Sequence, residues 1–219
     1  MKENIIPAGG TAKVSVNESI KMTDVPNDAG DVMGRYYERQ MEYLKRYVEP
    51  HKKLSRFITD KDINIVLSEG KVMLELCRIP RGIYGNIAAI AHPQINDVDP
   101  LRFFVTAAGM LIINPVIINH TKTPIFKDEG CMSYPEELIK KVARYNKIIV
   151  EYQTLLKGED GKPALSPVIT EGYNGNIANV FQHEIGHLNG VYIYDKDYSA
   201  ESSIGIPEEK KKETLDKTG

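Results

Sequence analysis

The chain has 219 residues, a formal net charge of −2 and 26% charged residues. That length supports one domain with extensions or two small ones, and the near-neutral balance gives no reason to expect nucleic acid or a membrane surface as partner. No run reaches the ~18 apolar residues of a membrane span, Ile5-Ile6-Pro7 is too short for a secretory signal, and two cysteines argue against a disulfide framework and for a reducing compartment.

Residues 1–30 are rich in Gly, Asn, Ser and Thr and read as irregular, with one short strand at 12–16. Met33, Tyr37, Met41, Leu44 and Val48 recur at three- and four-residue steps, which predicts an amphipathic helix over 31–49 stopped by Pro50. A second helix is predicted over 61–78, with Ile63, Val66, Met73 and Leu76 near one face, a kink at Gly70 and Pro80 beyond its end. Arg102–Ala107, Met110–Ile118 and Lys147–Leu155 alternate or run apolar and read as strands. Ile177, Val180, Phe181, Ile185 and Leu188 lie at helical spacing. Asn174 or Asn176 can cap the start of that helix, and Gly190 can close it in the left-handed conformation. From Tyr198 onward the apolar content falls, which reads as a frayed or partly helical tail too polar to pack well.

The chemistry concentrates in Gln182-His183-Glu184-Ile185-Gly186-His187. On a helix, residues four apart project from one face, so His183 and His187 can turn toward one metal ion. Glu184 sits where a carboxylate can take a proton from water at that ion. The bland reading is a surface helix with solvated histidines. A catalytic site of this type uses three protein ligands, and 5 His and 2 Cys leave few candidates for the third. Cys77 lies in an apolar helical run and reads as core. His51 and His120 read as loop and turn residues. Cys131, in Glu129-Gly130-Cys131-Met132-Ser133, and His92 stay open.

The Glu129–Ser133 run and Gln182-His183-Glu184-x-x-His187-Leu188-x-Gly190, some fifty residues apart, resemble two of the three signature motifs of the peptide deformylases. Leu111–Ile117 and Val191–Asp195 resemble the strands that flank them there, and the resemblance extends over residues 60–196. It implies an α+β fold, with antiparallel sheets packed around a central metal-binding helix and, in this chain, an extra N-terminal helix. It divides the chain into an N-terminal extension (1–58), a catalytic domain (59–197) and a polar tail (198–219).

The implied activity is metal-dependent removal of the formyl group from the N-terminal formyl-methionine of nascent polypeptides. Cys131, His183 and His187 would hold one divalent ion, Fe(II) natively or Zn, Ni or Co. Glu184 would be the general base and acid, with Gln94 and the backbone N–H of Met132 as oxyanion donors. Ile90, Gly130 and Val180 would line the binding groove. The implied partner is a formyl-methionyl peptide or nascent chain, met at the ribosome. The implied location is the cytoplasm, or an organelle or infected cell with bacterial-type translation.

Two departures from the family pattern stand out. Its first motif, G-Φ-G-Φ-A-A-P-Q, aligns with Ile87-Ala88-Ala89-Ile90-Ala91-His92-Pro93-Gln94, so both glycines are lost and His92 replaces an alanine. His92 could be a packed residue, a rim donor or an extra ligand. The family's Asp before the second histidine is Gly186 here, which bears on support around the ligands and on substrate range. Two further readings therefore remain: a divergent deformylase-like protein with altered or lost activity, and an unrelated H-E-x-x-H metallopeptidase or metal-stabilised binding module.

Overall fold

Alternation along the apolar runs builds the central sheet. The computed structural model describes residues 19–24, 52–78, 87–134 and 139–205. The helix predicted over 31–49, the strand at 12–16, His51 and the tail beyond 205 lie outside the described residues. Strands β1 (Ala89–Ala91), β2 (Phe103–Thr106), β3 (Leu111–His120), β6 (Lys147–Gln153) and β9 (Ile169–Asn174) form one antiparallel sheet in the order β1-β2-β3-β6-β9. β4 (Pro124–Glu129) pairs with β5 (Lys140–Tyr145), and β7 (Leu155–Lys157) pairs with β8 (Pro163–Leu165) and bridges to Ser19 through Leu156.

Helices cover both faces of this sheet. Ile90, Phe103, Val105, Leu111 and Ile113 point into a cluster with Val66, Met73 and Leu76 of α1 (Ile63–Cys77). Their neighbours Ala89, Ala91, Phe104, Ile112, Ile148 and Val150 point the other way, onto Ala178, Phe181, Ile185 and Leu188 of α2 (Gly175–Leu188). β2 is therefore buried at every position, as a strand covered on both sides must be. The alanines of β1 face α2, where small side chains let the helix lie close to the strand. The architecture is the mixed helix and antiparallel sheet that the resemblance implied.

Several local expectations change. α1 runs unbroken through Gly70, where a Cβ would stand 2.8 Å from Met22 Sδ, so that glycine makes room for a core side chain. Ile177 of α2 is exposed, and the buried stripe is carried by Ala178, Phe181, Ile185 and Leu188. Val191–Asp195 forms turns. The polar stretch after Tyr198 opens with α3 (Ala200–Ile204), whose Ala200, Ser203 and Ile204 are buried, so this part packs against α2 and β5.

The β3 ladder breaks at Asn114-Pro115, since proline cannot donate and Asn114 sits at φ 53. The Asn114 side chain bridges the Ile58 N–H at 2.7 Å and the Ile58 carbonyl at 3.0 Å, and the Pro115 carbonyl turns to the Arg102 guanidinium.

The entry to α1 is pinned by Asp62. It accepts from Thr59 N–H at 2.8 Å and Thr59 hydroxyl at 3.0 Å, and pairs with both terminal nitrogens of Arg56. Burial would raise the Asp62 carboxyl, but the Arg56 and Thr59 hydrogen bonds outweigh it and hold it below its usual range. A depressed folded pKa contributes stability above the unfolded value of about 3.9 and loses it as pH falls through the folded value. Asp62→Asn should thus lower unfolding free energy at pH 7 by about 1–3 kcal/mol. The gap to the parent should shrink in urea titrations below about pH 4. A gap constant with pH would contradict the assignment.

Candidate metal centre

α2 carries the first part of the site, and its placement is tightly determined. Asn174 occupies the cap position in extended backbone, without a side-chain cap bond. Gln182, fully buried, donates to the Tyr145 carbonyl at 2.9 Å and accepts from the Tyr145 N–H at 2.8 Å, so a side-chain amide docks the helix onto the β5 backbone. At the other end Gly190, at φ +71, allows Val191 N–H to reach the Gly186 carbonyl (2.9 Å) and Gly190 N–H the His187 carbonyl (3.0 Å). This is a Schellman closure. Arg102, wholly buried, donates to Asn189 Oδ1 at 2.9 Å and lies 3.4 Å from the Leu188 carbonyl. Burial pushes its pKa down to about 9.

Cys131 arrives from the turn after β4. Cys131, His183 and His187 each offer one ligand atom, and these atoms lie within 4.8 Å of one another. His187 Nε2 is 3.4 Å from Cys131 Sγ, and the two imidazoles meet edge to face with centroids 4.9 Å apart. His183 Nδ1 lies 2.9 Å from Glu129 Oε2 and 3.5 Å from Arg144 Nη2. The shorter contact, to a carboxylate, assigns the proton to Nδ1 as a donor to Glu129 and leaves Nε2 as a lone pair for the cluster.

Glu129 is held by two charge-assisted bonds from the buried Arg144, Nε at 2.8 Å and Nη2 at 2.7 Å. Burial would raise Glu129, yet Arg144 and His183 bring it down to about 2.

The electrostatics suit a cation. Burial pushes the Cys131 thiol up to about 12, with Glu184 and Glu129 adding to the effect and hydrogen bonds from Ser133 opposing it. Burial also drives His187 well below its usual value, with His183 and Arg144 acting in the same direction, so it is a neutral imidazole. Glu184 rises to about 8 through burial and the charge of Glu129, against the pull of Arg144 and the Ala91 N–H. Its Oε2 is buried without a hydrogen-bond partner among the described residues. A thiol, two imidazole lone pairs and an orphaned carboxylate oxygen, buried or nearly so and close together, fit a divalent ion, which would draw the thiol and the carboxyl to their charged forms.

The remaining sequence candidates separate. Gln94 sits in the 3-10 turn His92–Gln94, its Oε1 accepting from Ala91 N–H (2.9 Å) and its Nε2 facing Ser133 Oγ (3.3 Å), two residues beyond Cys131. Met132 is half-buried against the α1 cluster and carries the next backbone N–H after Cys131. Gly130 is exposed, with no atom within 4 Å of where a Cβ would stand, and Val180 is half-buried on α2. Ile90 departs from its expected place: its side chain is wholly buried in the α1 cluster, so only its backbone faces the β1 edge.

His92 is also wholly buried. Its Nδ1 accepts from Leu101 N–H at 2.8 Å, its Nε2 meets Glu69, and its ring lies on Phe103. It is a packed residue outside the cluster. Glu129 stands in the sequence motif without a role, and Arg144 carried no local signal, since it lies on β5 opposite Ile125 and reaches Glu129 only through its long side chain.

Gly186 has a steric reason. A Cβ there would stand 3.1 Å from the Val191 carbonyl oxygen and 3.6 Å from Ser203 Cβ of α3. The position is where α3 approaches α2, and it touches neither ligand. Restoring Asp at Gly186 should therefore lower unfolding free energy by about 1–3 kcal/mol. Gly186→Ala should cost less. An Asp variant as stable as the parent in chemical denaturation would contradict this packing.

A sequence profile described as polypeptide deformylase matches residues 82–202. Peptide deformylase 2 of Bacillus cereus is 38% identical over 155 residues, which is 67% of this chain and 76% of that protein. The peptide deformylase of Thermotoga neapolitana is 36% identical over 110 residues, 49% of this chain, and the match spans 60% of that relative's length. Among solved structures, the peptide deformylase of Thermotoga maritima superposes with a TM-score of 0.53 at 30% identity, covering 69% of this chain and 93% of that one. That of Thermus thermophilus gives 0.53 at 26% identity, covering 78% and 93%. With the Cys131, His183 and His187 cluster standing inside the matched stretch, the chain belongs to the polypeptide deformylase family.

Proposed function

We propose that this protein hydrolyses the formyl amide of N-terminal formyl-methionine in nascent polypeptides, releasing formate and a free amine. The observation that carries the reading is the unpartnered Glu184 carboxylate oxygen beside the Cys131, His183 and His187 cluster. Family membership sets aside an unrelated metallopeptidase. Cys131 Sγ and the Nε2 atoms of His183 and His187 would hold one divalent ion. This donor set admits several metals, with Fe(II) proposed as the native one and Zn, Ni or Co as substitutes. When bound, the ion would polarise the formyl carbonyl and acidify a water molecule.

The chain's own residues supply the rest. Glu184 takes the proton of the attacking water on Oε2 and returns it to the leaving amine nitrogen. The charge of the ion would hold this carboxyl ionised and ready to accept and would favour giving the proton up again to the amine, while its buried surroundings favour taking the proton up. Gln94 is pre-aimed: its Oε1 is committed to the Ala91 N–H, so its Nε2 is the donor that faces the site and can exchange Ser133 for a developing oxyanion. The Met132 N–H is the second donor, and loss of one such donor costs ~10²–10³ in rate.

β1 pairs only with β2 among the described residues. An extended peptide can therefore add along its open edge, with the exposed Gly130 backbone as a further candidate contact and the half-buried Val180 as the candidate for apolar contact to the methionine side chain. Ile90 contributes backbone only.

The test is formate release from formyl-Met-Ala-Ser by protein prepared anaerobically with Fe(II). Glu184→Gln should keep its metal and lose at least ~10²-fold in kcat. Near-parental turnover by the variant would remove Glu184 from proton transfer, and no release by metal-loaded parent protein would overturn the activity.

A further inference from the structure

The C-terminal stretch reaches the metal centre through Arg144. After α2 the chain turns back, and Tyr198 comes to lie under that guanidinium, whose carbon stands 5.5 Å from the ring centroid. Tyr198 hydroxyl accepts from Arg144 Nη1 at 2.6 Å and lies 3.2 Å from the Ala143 carbonyl, to which it donates. Ser203 Oγ of α3 is the second acceptor for Nη1, at 3.3 Å. The remaining guanidinium donors, Nε and Nη2, go to Glu129, which in turn fixes His183 Nδ1.

A guanidinium is planar and its donors form a rigid fork. Its rotation is therefore set jointly by Glu129 on one side and Tyr198 with Ser203 on the other. Arg144 is wholly buried, so no solvent replaces a lost acceptor on Nη1. If the fork turns, Glu129 is drawn off His183 and the cation at 3.5 Å moves toward Nδ1. An imidazole that loses its carboxylate and gains a facing cation is a weaker ligand.

Resting on the reading of Cys131, His183 and His187 as metal ligands, we propose that Tyr198 is a positioning residue for His183. It acts through Arg144 and Glu129, so that the segment after α2 sets how tightly the ion is held. Neither the H-E-x-x-H pattern nor the Glu-Gly-Cys motif contains it.

The probe is Co(II), loaded anaerobically at one equivalent into the full chain. Tyr198→Phe keeps the ring under Arg144 and removes only the acceptor. It should release Co(II) to a chelator about tenfold faster than the parent. The exchangeable, hyperfine-shifted Nδ1–H signal of His183 should also move and exchange faster with solvent, beyond the modest drop in metal-free melting temperature that the loss of one buried acceptor brings. A merely structural tyrosine would not move that signal.

Release within twofold of the parent, with an unshifted Nδ1–H signal, overturns the proposal. If metal-free Tyr198→Phe melts well below the parent, Ser203→Ala decides by the same two readouts, with a smaller acceleration expected and no change again contradicting. Parent protein that takes up no Co(II) would instead defeat the metal-centre reading itself.

Discussion

The site depends on keeping one wholly buried cation paired. Removing the Arg144 guanidinium from water costs several kcal/mol unless its donors are met, and the fold meets them with Glu129, Tyr198 and Ser203. These partners come from β4, the turn after α2, and α3. Burying Arg144 therefore draws together the segments that must converge for Cys131 to meet His183 and His187. Glu129 serves twice, as counter-charge to Arg144 and as acceptor for His183. The ion pair in this way also sets the tautomer of His183.

α2 is the rigid element on which this convergence rests. Gln182 docks it on the β5 backbone, the alanines of β1 let it lie close to the sheet, and Gly186 lets α3 lie close to it. At its C-terminus Arg102 places a second buried cation against carbonyl and amide oxygens and over the Phe57 ring. Positive charge at that end complements the helix dipole. With both ends held and one face buried, the helix presents its two histidines without a loop's freedom. That is the condition for ligands to meet an ion with little reorganisation.

The candidate metal-binding histidines were legible in the sequence because their spacing is local. His183 and His187 are a helical turn apart, and Glu184 is fixed between them. Cys131, which stands in the cluster, and Gln94, whose amide faces Ser133, were singled out through the motifs around them. The strands at Phe103–Thr106, Leu111–His120 and Lys147–Gln153 were legible because their alternation is a backbone property. Arg144 and Tyr198 were not, since their roles exist only once β5 and the stretch after α2 lie together. The tail misled by its polarity: Ser203 is polar, yet it is buried because a guanidinium needs its oxygen. Gly186 likewise read as lost support around the ligands, whereas it marks a helix contact 17 residues away in sequence, at Ser203. His92 was ambiguous because burial decides between ligand and packed residue, and a single sequence does not carry burial at one position.

Whether Cys131, His183 and His187 hold a single ion, with a position left for water, is open to direct measurement. X-ray absorption at the iron edge of anaerobically Fe(II)-loaded protein tests it most directly. The iron should be coordinated by one sulfur and two imidazole nitrogens, completed by light oxygen scatterers. A shell without sulfur, or one filled by three or more imidazoles, would contradict it.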